Sequence, residues 1–260
     1  MVTRGEIKIW LRSRSWRFMK NVRGKRTGAD IENYRWRGQA VYYRPGTSDA
    51  RSIYEILLAP GCEYRVPGSI KPHVILDIGG NIGISAIYYA VRFPQAHIYT
   101  FEPMEENFTL LERNISFYPN IRAFPVALGN SNRVQEIFAS DHPENFGGFS
   151  FFPEGSNSSR KRKVQIKHAG DYLYEIGVKK ADLIKIDSEG SEYDILASMD
   201  PEMLRETNWI VGELHGVRDF ELLAYLSSHF DISVRKTLRK RLFIFRGCNK
   251  NFQIEETLGF

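Results

Sequence analysis

The chain has 260 residues and a mass of 30.1 kDa, enough for one large α/β domain with a short appendage. Its 42% hydrophobic and 26% charged residues are ordinary globular proportions, which excludes the disordered and fibrous classes. Apolar runs fall well short of the ~20 residues that cross a bilayer, there is no apolar leader segment, and two cysteines, Cys62 and Cys248, make neither a disulfide framework nor a four-thiolate zinc site, so a soluble, cytoplasmic chain is expected.

The net charge of +5 is concentrated at one end. Residues 1–26 hold nine cations (Arg4, Lys8, Arg12, Arg14, Arg17, Lys20, Arg23, Lys25 and Arg26) against the single acid Glu6, which leaves the remaining 234 residues at −3. A body of that charge is not a nucleic-acid binder. Within the arm, Ile7, Leu11, Phe18 and Val22 share a helical face with Trp10 beside them, while Lys8, Arg12, Arg17 and Lys20 lie mostly elsewhere. Such a helix suits the surface of a membrane, or packs on the domain itself or on a homodimer partner.

Residues 27–72 read as an extension of short strands and turns. Gln39–Tyr43 is β-rich, Arg44–Asp49 reads as a turn, and Ser48 or Asp49 is placed to cap a short helix over Ala50–Leu58. Pro60-Gly61 and Pro67-Gly68 punctuate the approach to the main domain, 73–260.

From residue 73 strands and helices alternate. Strands are predicted at His73–Ile78, His97–Phe101 and Ile121–Val126, with helices marked by Ile84, Ile87, Tyr88 and Val91 and then by Phe108, Leu111 and Ile115. Between 130 and 168 the rhythm breaks. Short strands at Val134–Ala139, Gly148–Phe152 and Lys163–Lys167 around the polar stretch SNSSRKRK predict a hairpin insertion, in which Phe146, Phe149, Phe151 and Phe152 with Asn145 and Asn157 are either hairpin core or a sugar-stacking lip. The alternation then resumes with strand Asp182–Ile186, helix Ser191–Met199, strand Trp209–Glu213 and helix Phe220–Phe230. Two closing strands, Asp231–Val234 and Leu242–Arg246, are too closely connected to be anything but antiparallel. The predicted fold is a doubly wound α/β sheet, parallel except for its last strand, with ligands at the carboxyl ends of the strands.

Those ends carry the candidate chemistry. The first closes in Asp77-Ile-Gly79-Gly80-Asn81-Ile-Gly83, which lacks both the dinucleotide glycine spacing and the Lys-Ser/Thr of a phosphate loop. What remains is an acid before a Gly-x-Asn-x-Gly turn into a helix, which lets a ligand approach the backbone. The second strand ends in Glu102-Pro103, where a carboxylate can accept from both hydroxyls of a ribose, so the pair points to an adenosine-type ligand. The fourth ends in Asp187-Ser-Glu189-Gly190-Ser-Glu192, three carboxylates that suit a positive ligand, although Glu192 is equally explained as an acid favouring the next helix N-terminus. The fifth ends in Glu213-Leu-His215, two groups facing one crevice, one of them suited to proton transfer near neutrality.

Taken together, VILDIGGNIGISAIYYA, IYTFEP, Ala127-Leu128-Gly129, LIKIDSEGSEYDIL and, upstream, YRPGTSD resemble the FkbM family of S-adenosylmethionine-dependent methyltransferases, over roughly residues 40–235. The resemblance implies a class I methyltransferase (Rossmann-like) sheet and a cofactor, S-adenosyl-L-methionine, held by Asp77, Gly79, Asn81, Gly83 and Glu102, with Pro103, Ala127 and Asp187 at the same strand ends. It also implies a hydroxyl acceptor on a sugar, glycan or other small natural product. His215 is then the first candidate for general base, with Asp187 or Glu189 behind it, and no metal is assigned although Asp187, Glu213 and His215 permit one. An N-methyltransferase is disfavoured because Asp187-Ser-Glu-Gly stands where an Asn/Asp-Pro-Pro-Tyr/Phe loop belongs. A non-catalytic cofactor-binding scaffold is the other alternative. The basic arm and the Arg/Lys-rich stretch 160–163 depart from the family pattern and leave the cofactor motifs untouched.

Overall fold

The structure, a computed structural model, describes residues 3–24, 30–140, 156–236 and 243–252. Two helices open it, α1 (Arg4–Ser13) and α2 (Trp16–Val22), followed by a hairpin of β1 (Glu32–Trp36) and β2 (Gln39–Tyr43). Then come α3 (Asp49–Ile53), running straight into a π-helical turn at Tyr54–Leu58, and β3 (Val74–Ile78), α4 (Ile84–Arg92), β4 (His97–Phe101), α5 (Glu105–Ile115) and β5 (Ile121–Phe124). After β6 (Ala127–Gly129), β7 (Arg133–Ser140), β8 (Ser156–His168) and α6 (Ala169–Glu175), the order is β9 (Leu183–Ile186), α7 (Glu192–Ala197), α8 (Pro201–Glu206), β10 (Trp209–Leu214), α9 (Asp219–Ser227), β11 (Phe230–Lys236) and β12 (Phe243–Asn249).

The central seven-stranded sheet has the order β11-β12-β10-β9-β3-β4-β5, and only β12 runs against its neighbours. This is the expected doubly wound, Rossmann-like sheet, with the single antiparallel strand expected from the short closing connection. β3 has an apolar run buried on both faces: Leu76 and Ile78 join Ile184, Ile186 and the helices α6 to α9, while Ile75 joins Ala86, Ile87 and Leu111 of α4 and α5. The chain order reverses between β3 and β9, which places a crevice at the carboxyl ends of these two strands.

Several elements differ from their sequence expectations. Pro125 has no N–H to give a ladder, so β5 stops at Phe124 and the chain leaves for a second sheet, β6-β8-β7. The polar stretch SNSSRKRK is strand, the first part of β8, because pairing with β7 satisfies its backbone where its side chains supply no apolar signal. The predicted strand Gly148–Phe152 and the aromatic set Phe146, Phe149, Phe151 and Phe152 with Asn145 lie outside the described residues. Helices α6 and α8 are additional to the sequence expectations; α8 carries a readable signal, Asp200 accepting from Glu202 N with Pro201 in the first turn. Ser48 precedes α3 without a side-chain cap, and Asp49 is fully buried against Arg44 instead.

The N-terminal arm is two helices, not one. Arg14 adopts the left-handed conformation (φ +52°) and ends α1, and the Ser15 hydroxyl accepts from Phe18 N to start α2. The break rotates the faces. Ile9, Phe18, Met19 and Val22 are buried with Ile82, Ile84 and Leu110, whereas Ile7 and Leu11 face water.

Candidate active site

The turn after β3 is built on a close approach of two backbones. Gly79 (φ +79°) lies against Asp187, and a Cβ there would come within 1.8 Å of the Asp187 carbonyl oxygen. Asn81 is left-handed as well (φ +47°), which lets its N–H donate to Glu102 Oε2 at 2.8 Å. Glu102 Oε1 accepts from Met104 N (3.0 Å) and Asn107 Nδ2 (3.3 Å). Burial pushes the Glu102 carboxyl up, opposed by these three donors and by the charge of Lys185. Nearby, the buried Asn81 Oδ1 has no hydrogen-bond partner, an acceptor of the kind that native interiors rarely strand.

These residues edge an open cleft enclosing about 720 Å³ of atom-free space. Its walls are apolar (Phe101, Met104, Val126, Leu128 and Ile195), one side carries Glu102, and Asp187 and Glu189 also border it. Few polar groups set in apolar walls is the usual make-up of a small-molecule site.

Asp187 and Glu189 belong to a charged cluster. Glu189 is a third left-handed residue (φ +53°), an unusual conformation that brings its carboxylate beside Asp187 and His215. His215 Nε2 is 3.6 Å from Asp187 Oδ1 and 3.6 Å from Glu189 Oε2, too long for hydrogen bonds, and this buried nitrogen has no other partner. His215 Nδ1 lies 2.9 Å from Oε1 of the buried Glu192, which also accepts from Ser188 N and Gly190 N. Those donors hold Glu192 as an acceptor, so Nδ1 carries a proton. Burial pulls the His215 pKa down, but the Glu192 hydrogen bond and charge, with Asp187 and Glu189, outweigh it and raise the value to about 10. Burial and the charge of Asp187 push Glu189 up to about 8.

The structure brings most of the sequence-predicted site together. Gly79, Asn81, Glu102, Pro103, Ala127, Asp187 and Glu189 line the cleft. Asp77 does not: it is fully buried beneath the turn, accepting from Ser85 Oγ (2.9 Å) and Thr100 Oγ1 (2.8 Å), with Lys185 Nζ at 3.5 Å. It is a strut of the turn rather than a ligand contact. Gly83 is the left-handed residue that starts α4, and His215 stands behind the acids instead of lining the cleft.

Two contributors, Lys185 and Tyr64, escaped the sequence reading, and two more, Glu192 and Arg44, have roles that it did not assign. Lys185, buried in β9, donates to the carbonyls of Gly79 (2.6 Å) and Ile78 (3.2 Å). Tyr64 donates its hydroxyl to Asp187 Oδ2 (2.9 Å) and lies 3.3 Å from Glu213 Oε1. Glu192 proves to be more than a helix-terminus acid. Arg44 bridges Asp49 and Asn107, the residue that steadies Glu102, which gives YRPGTSD a physical role. Among the described residues, Asp187, Glu213 and His215 place one ligand atom each within 4.8 Å of one another, a donor set that a divalent cation accepts.

Residues 77–245, well over half of the chain, match the Methyltransferase FkbM domain. The chain belongs to the FkbM methyltransferase family. The FkbM region begins at Asp77 and ends inside β12, so it contains the glycine turn, Glu102, the Asp187 cluster and His215, and leaves the basic arm outside. The chain is 24% identical over 192 residues to the AMB antimetabolite synthetase AmbE of Pseudomonas aeruginosa, covering 60% of itself but 9% of that protein. It is 28% identical over 174 residues to the hexuronic acid methyltransferase AglP of Haloferax volcanii (65% of this chain, 66% of that one). With the 2-O-methyltransferase NoeI of Sinorhizobium fredii it shares 29% over 156 residues (54% of this chain, 62% of that one). The chain thus spans under a tenth of the first relative and under two-thirds of the last.

Proposed function

We propose that this chain is an S-adenosylmethionine-dependent O-methyltransferase acting on a hydroxyl of a sugar, glycan or similar small acceptor. The carrying observation is the cleft itself, which joins the buried acceptors Glu102 and Asn81 Oδ1, an apolar wall, and the carboxylates Asp187 and Glu189. That set of acceptors and apolar surface fits the cofactor: ribose hydroxyls suit Glu102 Oε2, an adenine suits the apolar wall, and the cationic methionine end suits Asp187. When bound, the cofactor supplies an electrophilic methyl group on a sulfonium. AglP and NoeI, by their names, act on a hexuronic acid and at a 2-O position, which supports a sugar hydroxyl as acceptor.

The residues of the chain then divide the work. Asp187 and Glu189 orient the acceptor hydroxyl, and Glu189 takes its proton, since it borders the cleft and its pKa, raised to about 8, makes its carboxylate a stronger base than an ordinary one. His215 already holds a proton up to about pH 10 and stands behind the cleft, so it acts as a positioning cation that keeps the two carboxylates in place. This exchanges the roles expected from sequence for His215 and Glu189.

The test is incubation of the full chain with methyl-labelled cofactor and a panel of uronic acid, neutral sugar and glycan acceptors, with the product linkage located by NMR. A methyl ether is expected. A methyl on nitrogen would move the chain to the N-methyltransferase reading, and cofactor binding with no transfer to any acceptor would favour a scaffold. Turnover is expected to survive chelation, because the Tyr64 hydroxyl and the Glu192 carboxylate already hold the Asp187, Glu213 and His215 set. A loss restored by Mg²⁺ or Mn²⁺ would assign that set to a metal.

A further inference from the structure

The break between α1 and α2 sorts the arm into a buried side and an outer side, and the outer side is unusual. Ile9, Phe18, Met19 and Val22 fix the two helices to Ile82, Ile84 and Leu110 of the FkbM region. Buried Asn21 adds hydrogen bonds to Glu32 and the Tyr43 hydroxyl. The arm is therefore part of the folded body. Even so, Ile7 (43% exposed), Leu11 (60%) and Trp16 (48%) are left in water. Ile7 and Leu11 are one turn apart on α1, and Trp10 stacks on Trp16 with ring centroids 5.1 Å apart, so these four form one apolar strip. On the same two helices, all seven described cations of the arm (Arg4, Lys8, Arg12, Arg14, Arg17, Lys20 and Arg23) are exposed, Arg17 being paired with Glu32, against one acid of the arm, Glu6.

We propose that this strip and the exposed cations of the same helices form a docking surface for an anionic membrane. Charge decides the occupant. A second copy meeting the same face would set like charges against like, whereas a bilayer carrying acidic headgroups takes up the apolar side chains and neutralises the cations together. Each Lys or Arg near such a surface strengthens binding about fivefold, so a few of the seven suffice to hold the protein there. Among the described residues no helix is long and apolar enough to cross a membrane, which makes the contact peripheral.

The surface is also coupled to the cleft side of the molecule. Arg12 Nη1 donates to the Tyr54 hydroxyl (2.9 Å) on the π-helical turn, and Ile56 of that turn borders a small cavity shared by Tyr64, Asn81 and Asp187. The docking surface stands whatever the acceptor is.

The test uses the full chain and sedimentation with phosphatidylcholine vesicles, with and without about one-third phosphatidylserine. Binding is expected to be at least roughly tenfold tighter to the anionic vesicles and to vanish at high salt. Leu11→Ala and Trp16→Ala should each weaken it by roughly tenfold. Both positions are exposed, so thermal melting and cofactor binding should be unchanged. Three results would overturn the proposal: no pelleting with anionic vesicles at low salt, binding indifferent to both substitutions, or a dimer in solution that Leu11→Glu dissociates, which would give the strip to a second copy.

Discussion

Glu102 and Glu189 show how one side chain type serves two tasks in one cleft. Glu102 is almost wholly buried, and its oxygens are fixed by donors from Asn81, Met104 and Asn107, which leaves it rigid and suited to reading hydroxyls. Glu189 is a third exposed, is unsupported by such donors, and is raised by burial and by Asp187 into the range where a carboxylate can both take and release a proton. Glu102→Ala is therefore expected to weaken binding of S-adenosylhomocysteine by about 1–3 kcal/mol, read by calorimetry, while the fold survives. Unchanged affinity would mean that the adenosine end lies elsewhere. Asp77→Asn, by contrast, should act first on the melting temperature, because the carboxylate supports the turn without lining the cleft.

At the level of elements, Lys185 joins β9 to the glycine turn. Its side chain is 2% exposed, and its ammonium lies against the fully buried Asp77 and donates to two carbonyls at the end of β3. Lys185→Met should lower unfolding free energy by about 3–5 kcal/mol in urea titrations, since it leaves Asp77 buried without its cation. The strand ends were legible in sequence because each couples a local apolar run to a polar stop: Ile78 before Gly79, Phe101 before Glu102, Ile186 before Asp187. Tyr64 was not legible, because it lies in a loop with no periodicity and reaches Asp187 across 123 residues. The arm was legible as helical but not in its faces: the expected stripe of Ile7, Leu11, Phe18 and Val22 assumes an unbroken helix, and one left-handed residue, Arg14, replaces Ile7 and Leu11 by Ile9 in the core. The basic part of β8 was hidden for a further reason, since ladder pairing is blind to side-chain polarity.

For the molecule as a whole, the cluster makes stability depend on pH in a stated direction. Glu189 rises from 4.5 to about 8 and His215 from 6.5 to about 10, so both bind protons in the folded state that the unfolded chain has released. Their stabilisation is complete below their unfolded values and is lost as pH climbs through the folded ones. Without ligand, the melting temperature should fall between about pH 5 and pH 9, and Glu189→Gln should flatten the lower half of that fall. A melting temperature that rises across this range would show that the cluster does not hold these protons. The groups with raised pKa stand beside the cleft that receives the ligand, which links stability to function across β9, β10 and the turn between β3 and α4. The proposed chemistry is tested most directly by single-turnover transfer of labelled methyl in Glu189→Gln beside the unchanged chain, with S-adenosylhomocysteine affinity measured on both. Loss of the proton acceptor should slow transfer by about 10²–10⁴-fold while affinity holds within a few-fold, whereas transfer at nearly the original rate would contradict the account.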